Sequence, residues 1–352
     1  MRIALDATPL TLTTGGLTRY TTALSAALAE NYPGDEFALL SGQPFQMPAP
    51  HHPNLLRGAP PRNALERRWW IWGVQNEMNR LQCALFHGTN FEVPCAPLRP
   101  SVVTVHDLSP WMNPAWHYAA DRVRRRTPFL VGLRIATMVI TDSQAVRSQV
   151  IERFRVAPSR VVAVPLGASE TFRPARTEHR APYFLYAGAL EPRKNLDQLM
   201  EAWRIVRKTH PVDLVLAGRA RADFSPPAPE AGLRLTGEVS DTDLARLYSD
   251  AVAVVYPSHY EGFGLPVLEA MQCGACVFIS QDAALREVGG DAALALDGLS
   301  AWVEAMRAAA ESPQWLQERR EASRARAREF SWGRTARLTR EVYEEAMRRF
   351  AF

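Results

Sequence analysis

Glu261 and Glu269 stand eight residues apart in EGFGLPVLEAMQCG, residues 261–274. Between them lie a Gly-x-Gly turn, a proline and the start of an apolar segment. Phe263 and Gly264 read as loop, because glycine admits positive φ and close approach of the backbone to a ligand. Pro266 is suited to open a helix, where its missing N–H is not needed. The first backbone N–H groups of that helix, near Gly264 and Leu265, would face the loop, and such a terminus attracts phosphate. Glu269 falls one turn inside the helix, within reach of a sugar hydroxyl, while Glu261 precedes the loop on the far side of the bound group. Two solvated glutamates on a strand-loop-helix connection would satisfy the same pattern, so a second motif has to decide.

That motif is YAGALEPRKN, residues 186–195, in which Gly188 closes an apolar run and Arg193 and Lys194 are adjacent cations. Lys194 and Lys208 are the only lysines in a chain that otherwise uses arginine for positive charge. A compact ammonium beside a guanidinium suits a diphosphate leaving group, which needs positive charge where negative charge accumulates. Together the two motifs resemble those of the retaining nucleotide-sugar glycosyltransferases of family 4, with their glutamate-x7-glutamate signature and GT-B fold.

The resemblance implies roles. Arg193 and Lys194 would hold the donor diphosphate, with backbone N–H groups near Gly264 and Leu265. Glu269 would bind ribose, Glu261 the donor-sugar hydroxyls, and Gly188 and Phe263 would line the donor site. No side chain is an obvious nucleophile, so the family's front-face attack by the acceptor after phosphate departure is expected. No metal or cofactor is expected beyond the nucleotide sugar as co-substrate.

Other elements extend the site. Gly15 and Gly16 in TTGGLTRY sit at a strand-to-helix junction, open to a plain turn or to backbone contact with phosphate. Family members carry a Gly-Gly loop there. His106 and Asp107 follow VVTV, and the pair resembles the family's element that contacts the donor sugar. As a lone histidine, His106 would also fit a structural role. His87 in FHGTNFEVP is a second strand-end candidate, and His87 and Asp107 are assigned to the acceptor side. TDS, residues 141–143, closes the next strand and is expected to line the same cleft. Val239 in TGEVSDTDLARLY resembles a turn that meets the nucleotide base through its backbone, with Asp241 as an N-cap. Residues 284–294 resemble a family loop near the donor but carry Ala-Leu-Arg where serine-leucine-proline is common. A G-x-G-x-x-G fingerprint is missing, which argues against a dinucleotide oxidoreductase.

With 352 residues, 47% of them hydrophobic, the chain exceeds one ordinary core and suits two domains. A net charge of +4 and the lack of RNP or zinc-finger patterns argue against nucleic acid. Four cysteines are sparse for a disulfide framework, and free thiols are expected; Cys273 and Cys276 form a C-x-x-C that could also be redox-active or half a zinc site. Neither a signal peptide nor an apolar run of about 20 residues is found. A cytoplasmic protein is expected, with peripheral contact at the inner face of the membrane as a candidate. Arg62, Arg67 and Arg68 lead into Trp69, Trp70 and Trp72, and Arg122 and Arg124–Arg126 follow Trp111 and Trp116. Such mixtures suit an anionic lipid surface or, equally, helix packing under a solvated basic face.

Candidate strands cover residues 2–6, 37–40, 84–87, 102–105, 138–141 and 161–164, then 183–187, 213–217, 233–236, 252–256 and 276–280. Helical patterns between them, such as 17–30, 195–209 and 241–249, indicate α/β architecture with parallel sheets. The polar, proline-bearing stretch 167–182 reads as a linker. The expected fold is therefore GT-B: two Rossmann-like, doubly wound domains facing across a cleft. Their boundaries are 1–170 on the acceptor side, a linker at 171–182, and 183–331 for the donor domain. Residues 332–352 would form a C-terminal helix returning to the first domain, as in GT-B proteins.

The expected reaction moves a hexose from a nucleotide-diphosphate sugar to a hydroxyl of a saccharide or lipid-linked saccharide. GGLTRY, FHGTNFEVP and TVHDLSP look most like bacterial mannosyltransferases of surface-polysaccharide assembly, so GDP-mannose leads and a UDP-sugar follows. A glycoside hydrolase would also use two carboxylates but leaves Arg193 and Lys194 without a role. A GT-B phosphorylase would need pyridoxal phosphate, and a non-catalytic sugar-binding protein would bind the donor without turnover.

Overall fold

The computed structural model describes residues 1–12, 15–117, 120–175, 181–222 and 224–350. The chain divides into two compact units, Met1–Gly167 with Ser331–Phe352, and Ala168–Phe330. Each is built on one parallel sheet.

In the first unit β1 (Arg2–Asp6), β2 (Glu36–Leu40), β3 (Leu55–Arg57), β4 (Leu85–Gly88), β5 (Ser101–Val105), β6 (Met138–Thr141) and β7 (Val161–Ala163) lie in the order β3-β2-β1-β4-β5-β6-β7. The second holds β8 (Tyr183–Ala187), β9 (Asp213–Ala217), β10 (Leu233–Gly237), β11 (Ala253–Tyr256), β12 (Val277–Ile279) and β13 (Leu294–Ala295), ordered β10-β9-β8-β11-β12-β13. Both orders run outward from the first strand in two directions, the doubly wound pattern that opens a ligand crevice where the order reverses. Central strands are rich in β-branched and aliphatic residues and buried on both faces, as all-parallel sheets require. Three of the helices between them begin on the side-chain caps Ser143, Ser240 and Asp282, each accepting from a first-turn N–H.

The expected strands form, with ends shifted by a residue or so. The edge strands β3 and β13, three and two residues long, carry no alternation that a sequence pattern could register. The stretch expected to link the domains is different in kind. Phe172 is fully buried against Tyr248, and Ala175 N–H donates to Ser249 Oγ at 3.0 Å, so residues 168–175 pack into the second unit. The rest of the expected linker falls partly on residues 176–180, outside the described residues.

Helix Trp332–Phe350 packs on helix Gly16–Asn31 and on β5 and β6, within the first unit. Its Arg340 Nε donates to Asp35 Oδ2 at 2.8 Å, and its buried Tyr343 hydroxyl lies 2.7 Å from His87 Nδ1. Cys273 and Cys276 are buried, free thiols, and burial pushes each up to about 12, well above the range of a reactive thiolate.

Asp6 ends β1 with its carboxyl buried, accepting from Thr8 N and Oγ1 at 3.0 and 2.6 Å. Burial pushes it up to about 7 against the help of those two bonds. The folded state thus binds the Asp6 proton more tightly than the unfolded chain. Its contribution is whole below the usual carboxylate range and is lost as pH rises to about 7, by on the order of 1.4 kcal/mol per unit. Asp6→Asn keeps an acceptor for Thr8 and removes the titration. Melting of both proteins from pH 4 to 8 should show the variant gaining on the wild type up to about pH 7 and level thereafter; a constant difference would contradict the buried-acid assignment.

Candidate active site

In the second unit the strand order reverses between β8 and β11, and the loops leaving these two strands are stitched together. His259 N donates to Arg193 O at 2.9 Å, Arg193 Nη1 to Tyr260 O at 2.9 Å, and Asn195 Nδ2 to Pro257 O at 3.3 Å. Asn195 has φ +53°, a left-handed conformation that asparagine tolerates better than most residues, and it opens helix Leu196–Arg207.

This stitching brings both sequence motifs to one point. Lys194 Nζ donates to Glu261 Oε1 at 2.5 Å and Arg193 Nη1 to Glu261 Oε2 at 3.3 Å. Arg193 also reaches Glu191 through Nη2 at 2.9 Å, and Arg221 meets the other oxygen of Glu191 at 3.4 Å. Burial pushes the Glu261 carboxyl up, but Lys194 and Arg193 outweigh it and hold the group below its usual range. Burial also dominates at Lys194, lowering the ammonium despite Glu261. Beneath the pair, Tyr186 and Tyr256 stack at 5.3 Å between ring centres, and Lys194 Nζ lies 5.5 Å from the Tyr256 ring. Gly188 sits over their hydroxyls at φ +149°; a Cβ there would meet Tyr256 OH at 3.0 Å.

The loop after Glu261 leads into helix Leu265–Gln272. Gly264 has φ +103°, and a Cβ would meet Leu285 at 2.6 Å, so both conformation and space require glycine. Val267 and Leu268 donate to Gly264 O and Pro266 has no N–H, which leaves the N–H groups of Gly264 and Leu265 at the positive helix end. Asp282 caps helix Ala283–Gly289 through Oδ1 and accepts Glu261 N–H through Oδ2 at 3.2 Å. Phe263 is buried against Phe330. Glu269 is buried in the helix, with the Tyr248 hydroxyl donating to it at 3.4 Å. Val239 lies half-buried in the loop after β10. Sequence reasoning missed Glu191, Arg221, Tyr186, Tyr256 and Asp282; of these, Tyr186 and Glu191 stood inside a motif already singled out.

In the first unit, His106 follows β5 with Nε2 bonded to Thr89 O at 2.8 Å and Nδ1 to Asp142 Oδ2 at 2.7 Å. Asp107 Oδ1 accepts from Ser109 N and Oγ at 2.9 and 2.6 Å, shaping the turn that follows. Gly15 has φ +117° and caps helix Gly16–Asn31, while among the described residues nothing crowds a Cβ at Gly16. His87 differs from its expected position. It is fully buried, its nitrogens held by Tyr343 OH and by Thr104 Oγ1 at 2.8 Å, and burial lowers it to about 3. It is a neutral tie to the C-terminal helix, with no face for an acceptor. Among the described residues no group of three or more His, Cys, Asp or Glu could hold a metal ion.

Residues 14–172 match the model of Glycosyltransferase Family 4, and residues 168–330 that of Glycosyl transferases group 1. The chain is 31% identical to O-antigen chain mannosyltransferase B of Escherichia coli, across 98% of this chain and all of that protein. It belongs to glycosyltransferase family 4. Solved structures agree on the GT-B fold. Sucrose-phosphate synthase from Thermosynechococcus elongatus superposes with a TM-score of 0.74 at 20% identity over 98% of both chains. Anabaena HepE, solved with UDP and glucose, gives 0.71 at 16% identity over 97% of this chain and 99% of that one. This family 4 glycosyltransferase is thus an enzyme whose second-unit motifs converge at a doubly wound switch point.

Glu261 is buried with two cations, so removing one should expose the cost of the remaining charge. Lys194→Ala is expected to destabilise the fold by roughly 3 kcal/mol, and adding Glu261→Gln should recover a clear part of it. Denaturant unfolding of the four proteins of the cycle measures the coupling, and strictly additive losses would mean that the ion pair is not formed.

Proposed function

We propose that this glycosyltransferase moves a hexose from a nucleotide-diphosphate sugar to a hydroxyl of a saccharide or lipid-linked saccharide, retaining anomeric configuration. The observation that carries this reading is the Arg193–Lys194 pair held on Glu261 at the switch point of the second sheet. Glu261 serves as the anion for both cations. An arriving diphosphate offers more negative charge and more oxygens, so Arg193 and Lys194 turn to it, joined by the N–H groups of Gly264 and Leu265. The Glu261 carboxylate is then released to accept hydrogen bonds from donor-sugar hydroxyls, and Glu269 takes the ribose. Charge building on the leaving diphosphate is met by cations already in place, where a preorganised site is most effective. Attack by the acceptor on the face that the phosphate leaves accounts for retention without a protein nucleophile. No metal is required in this scheme. Gly15 and Gly16 offer backbone to donor or acceptor, and Val239 offers its backbone to the base.

Mannose from GDP-mannose is the first choice of donor, supported by the name of the full-length relative from Escherichia coli. Calorimetry across GDP- and UDP-sugars tests it. GDP-mannose should bind and turn over, and Arg193→Ala should weaken donor and free GDP alike by roughly tenfold or more, each charge-assisted bond being worth about 1.5–3 kcal/mol. Binding of UDP-sugars alone would replace the donor, and unchanged GDP affinity in the variant would remove Arg193 from the diphosphate site.

We place the enzyme in the cytoplasm, at the inner face of the membrane. No helix among the described residues is long and apolar enough to cross a bilayer. The expected tryptophan cluster mostly serves the fold: Trp69 is buried, Trp70 packs on Phe86, and Trp111 packs on Phe91 and Phe154. Arg124 and Arg126 are held by Pro110 O, His117 O and Glu92. What remains outward is Arg67, Arg68, Ile71 and Trp72, with Arg122, itself paired with Glu92 at 2.7 Å, Arg125, Phe129 and Leu133 on helix Asp121–Gly132 and its end. Their spacing puts the last four on one face. Vesicles with anionic lipid should bind the protein in a salt-sensitive way, and Phe129→Glu should weaken that binding about tenfold or more, given about 1.5–3 kcal/mol for a buried phenylalanine. Co-sedimentation no better than with neutral vesicles would leave these residues as ordinary surface.

A further inference from the structure

Adjacent strands β5 and β6 run in register, Val105 opposite Thr141, so the next residue of each, His106 and Asp142, face one another just past the ladder. In an open parallel sheet ligands lie outside these carboxyl ends. His106 keeps a thin exposed edge, 13% of its side chain, while Asp142 stands behind it at 5%. The Thr89 carbonyl can only accept, so His106 Nε2 carries hydrogen in that bond. Nδ1 faces Asp142 Oδ2 at 2.7 Å, and the pair holds one further proton between them. We propose that Asp142 is a positioning residue for sugar transfer: it locks the His106 ring in one orientation and keeps it as a fixed cation rather than a base.

Several contacts support the charged arrangement. Helix Gln144–Phe154 begins just beyond Asp142, capped by Ser143 Oγ on Val146 N at 3.2 Å, and its positive end favours a carboxylate there. Burial works against charge on His106, but the Asp142 carboxylate, its hydrogen bond and the Thr89 carbonyl outweigh it, with Asp107 adding to them, and hold the ring above its usual range. The other groups facing the ring are Tyr20, edge-on at 4.7 Å between ring centres, Phe91 at 6.3 Å, and His87, kept neutral by burial. Burial raises the Asp142 carboxyl, with His106 pulling the other way. Asp142 Oδ1 is buried and, among the described residues, has no hydrogen-bond partner. An unsatisfied oxygen of this kind costs about 1–3 kcal/mol, and an asparagine would reach His106 without burying a charge. The charge itself is therefore the feature to explain. With both nitrogens occupied, His106 has no lone pair to take a proton from an acceptor hydroxyl. It offers the substrate positive charge in a fixed place.

The inference rests on the glycosyltransferase reading above, and its test separates the two. Nitrogen-15 NMR of the histidines in the full chain should show His106 titrating above the usual ~6.5. In Asp142→Asn, of the same shape, the titration should move down by at least about one unit, a tenfold change in proton affinity. With donor and acceptor, kcat of the variant should fall about tenfold or more at pH 8 and approach wild type at pH 6, with donor KM within about twofold, because acid restores charge to the ring. A structural role alone would lower activity equally at both pH values. That outcome, a wild-type His106 titrating at or below ~6.5, or the same titration in both proteins, would overturn the proposal. The NMR titration needs no turnover, so failure of wild type to transfer from any nucleotide sugar would count against the donor reading separately.

Discussion

The second unit is organised around a buried carboxylate that must have cations. Glu261 leaves β11 inside the protein, and a charge there is tolerated only when paired and hydrogen-bonded. Lys194 and Arg193 supply the charge, and the backbone stitching of the two loops supplies the geometry. Gly188 above the tyrosine stack, Gly264 at positive φ, and Asp282 on the Glu261 N–H all follow from holding that pair where the strand order reverses. Burial depresses Lys194 and pushes against ionisation of Glu261, while Lys194 and Arg193 pull Glu261 the other way. The diphosphate proposed above would offer these two cations a stronger anion.

The first unit shows the same economy at its own strand ends. Asp6 closes β1 as a buried acid, Thr89 follows β4, His106 follows β5 and Asp142 follows β6. Thr89 joins two of these ends, its hydroxyl on Asp6 O at 2.8 Å and its carbonyl on His106. Polar groups are gathered on one edge of an otherwise apolar sheet, the edge that a doubly wound fold leaves for ligands. Deeper in the same sheet, His87 and Tyr343 use similar chemistry for a different end, tying the C-terminal helix to β4 in a neutral bond.

Much of this was legible in the chain. Alternating strand and helix patterns placed most of the strands, because apolar runs bounded by turns leave little choice. The central motifs were legible because their chemistry is uncommon: two glutamates around Gly-x-Gly-Leu-Pro, and a rare lysine beside an arginine. Other positions were left open by the sequence for definite reasons. His87 lies near the end of β4 and His106 just past β5, and sequence spacing cannot tell a ring that turns inward from one at the rim. The Arg/Trp segments carried the composition of a lipid surface, yet Trp69, Trp70 and Trp111 fill the core and helix contacts. Residues 168–175 looked like linker because they are polar, while one buried phenylalanine anchors them.

The sequence by itself determined the periodicities, the turns that demand glycine and the chemical types available to a site, since these depend on neighbours along the chain. It could not determine which charges meet. Glu261 and Lys194 are 67 residues apart and His106 and Asp142 are 36, and each pair is joined only because parallel strands set their ends side by side. Burial was decided at the same step. The tertiary structure turns a carboxylate and an ammonium of ordinary behaviour into a desolvated pair, because removing water from both is a property of everything packed around them.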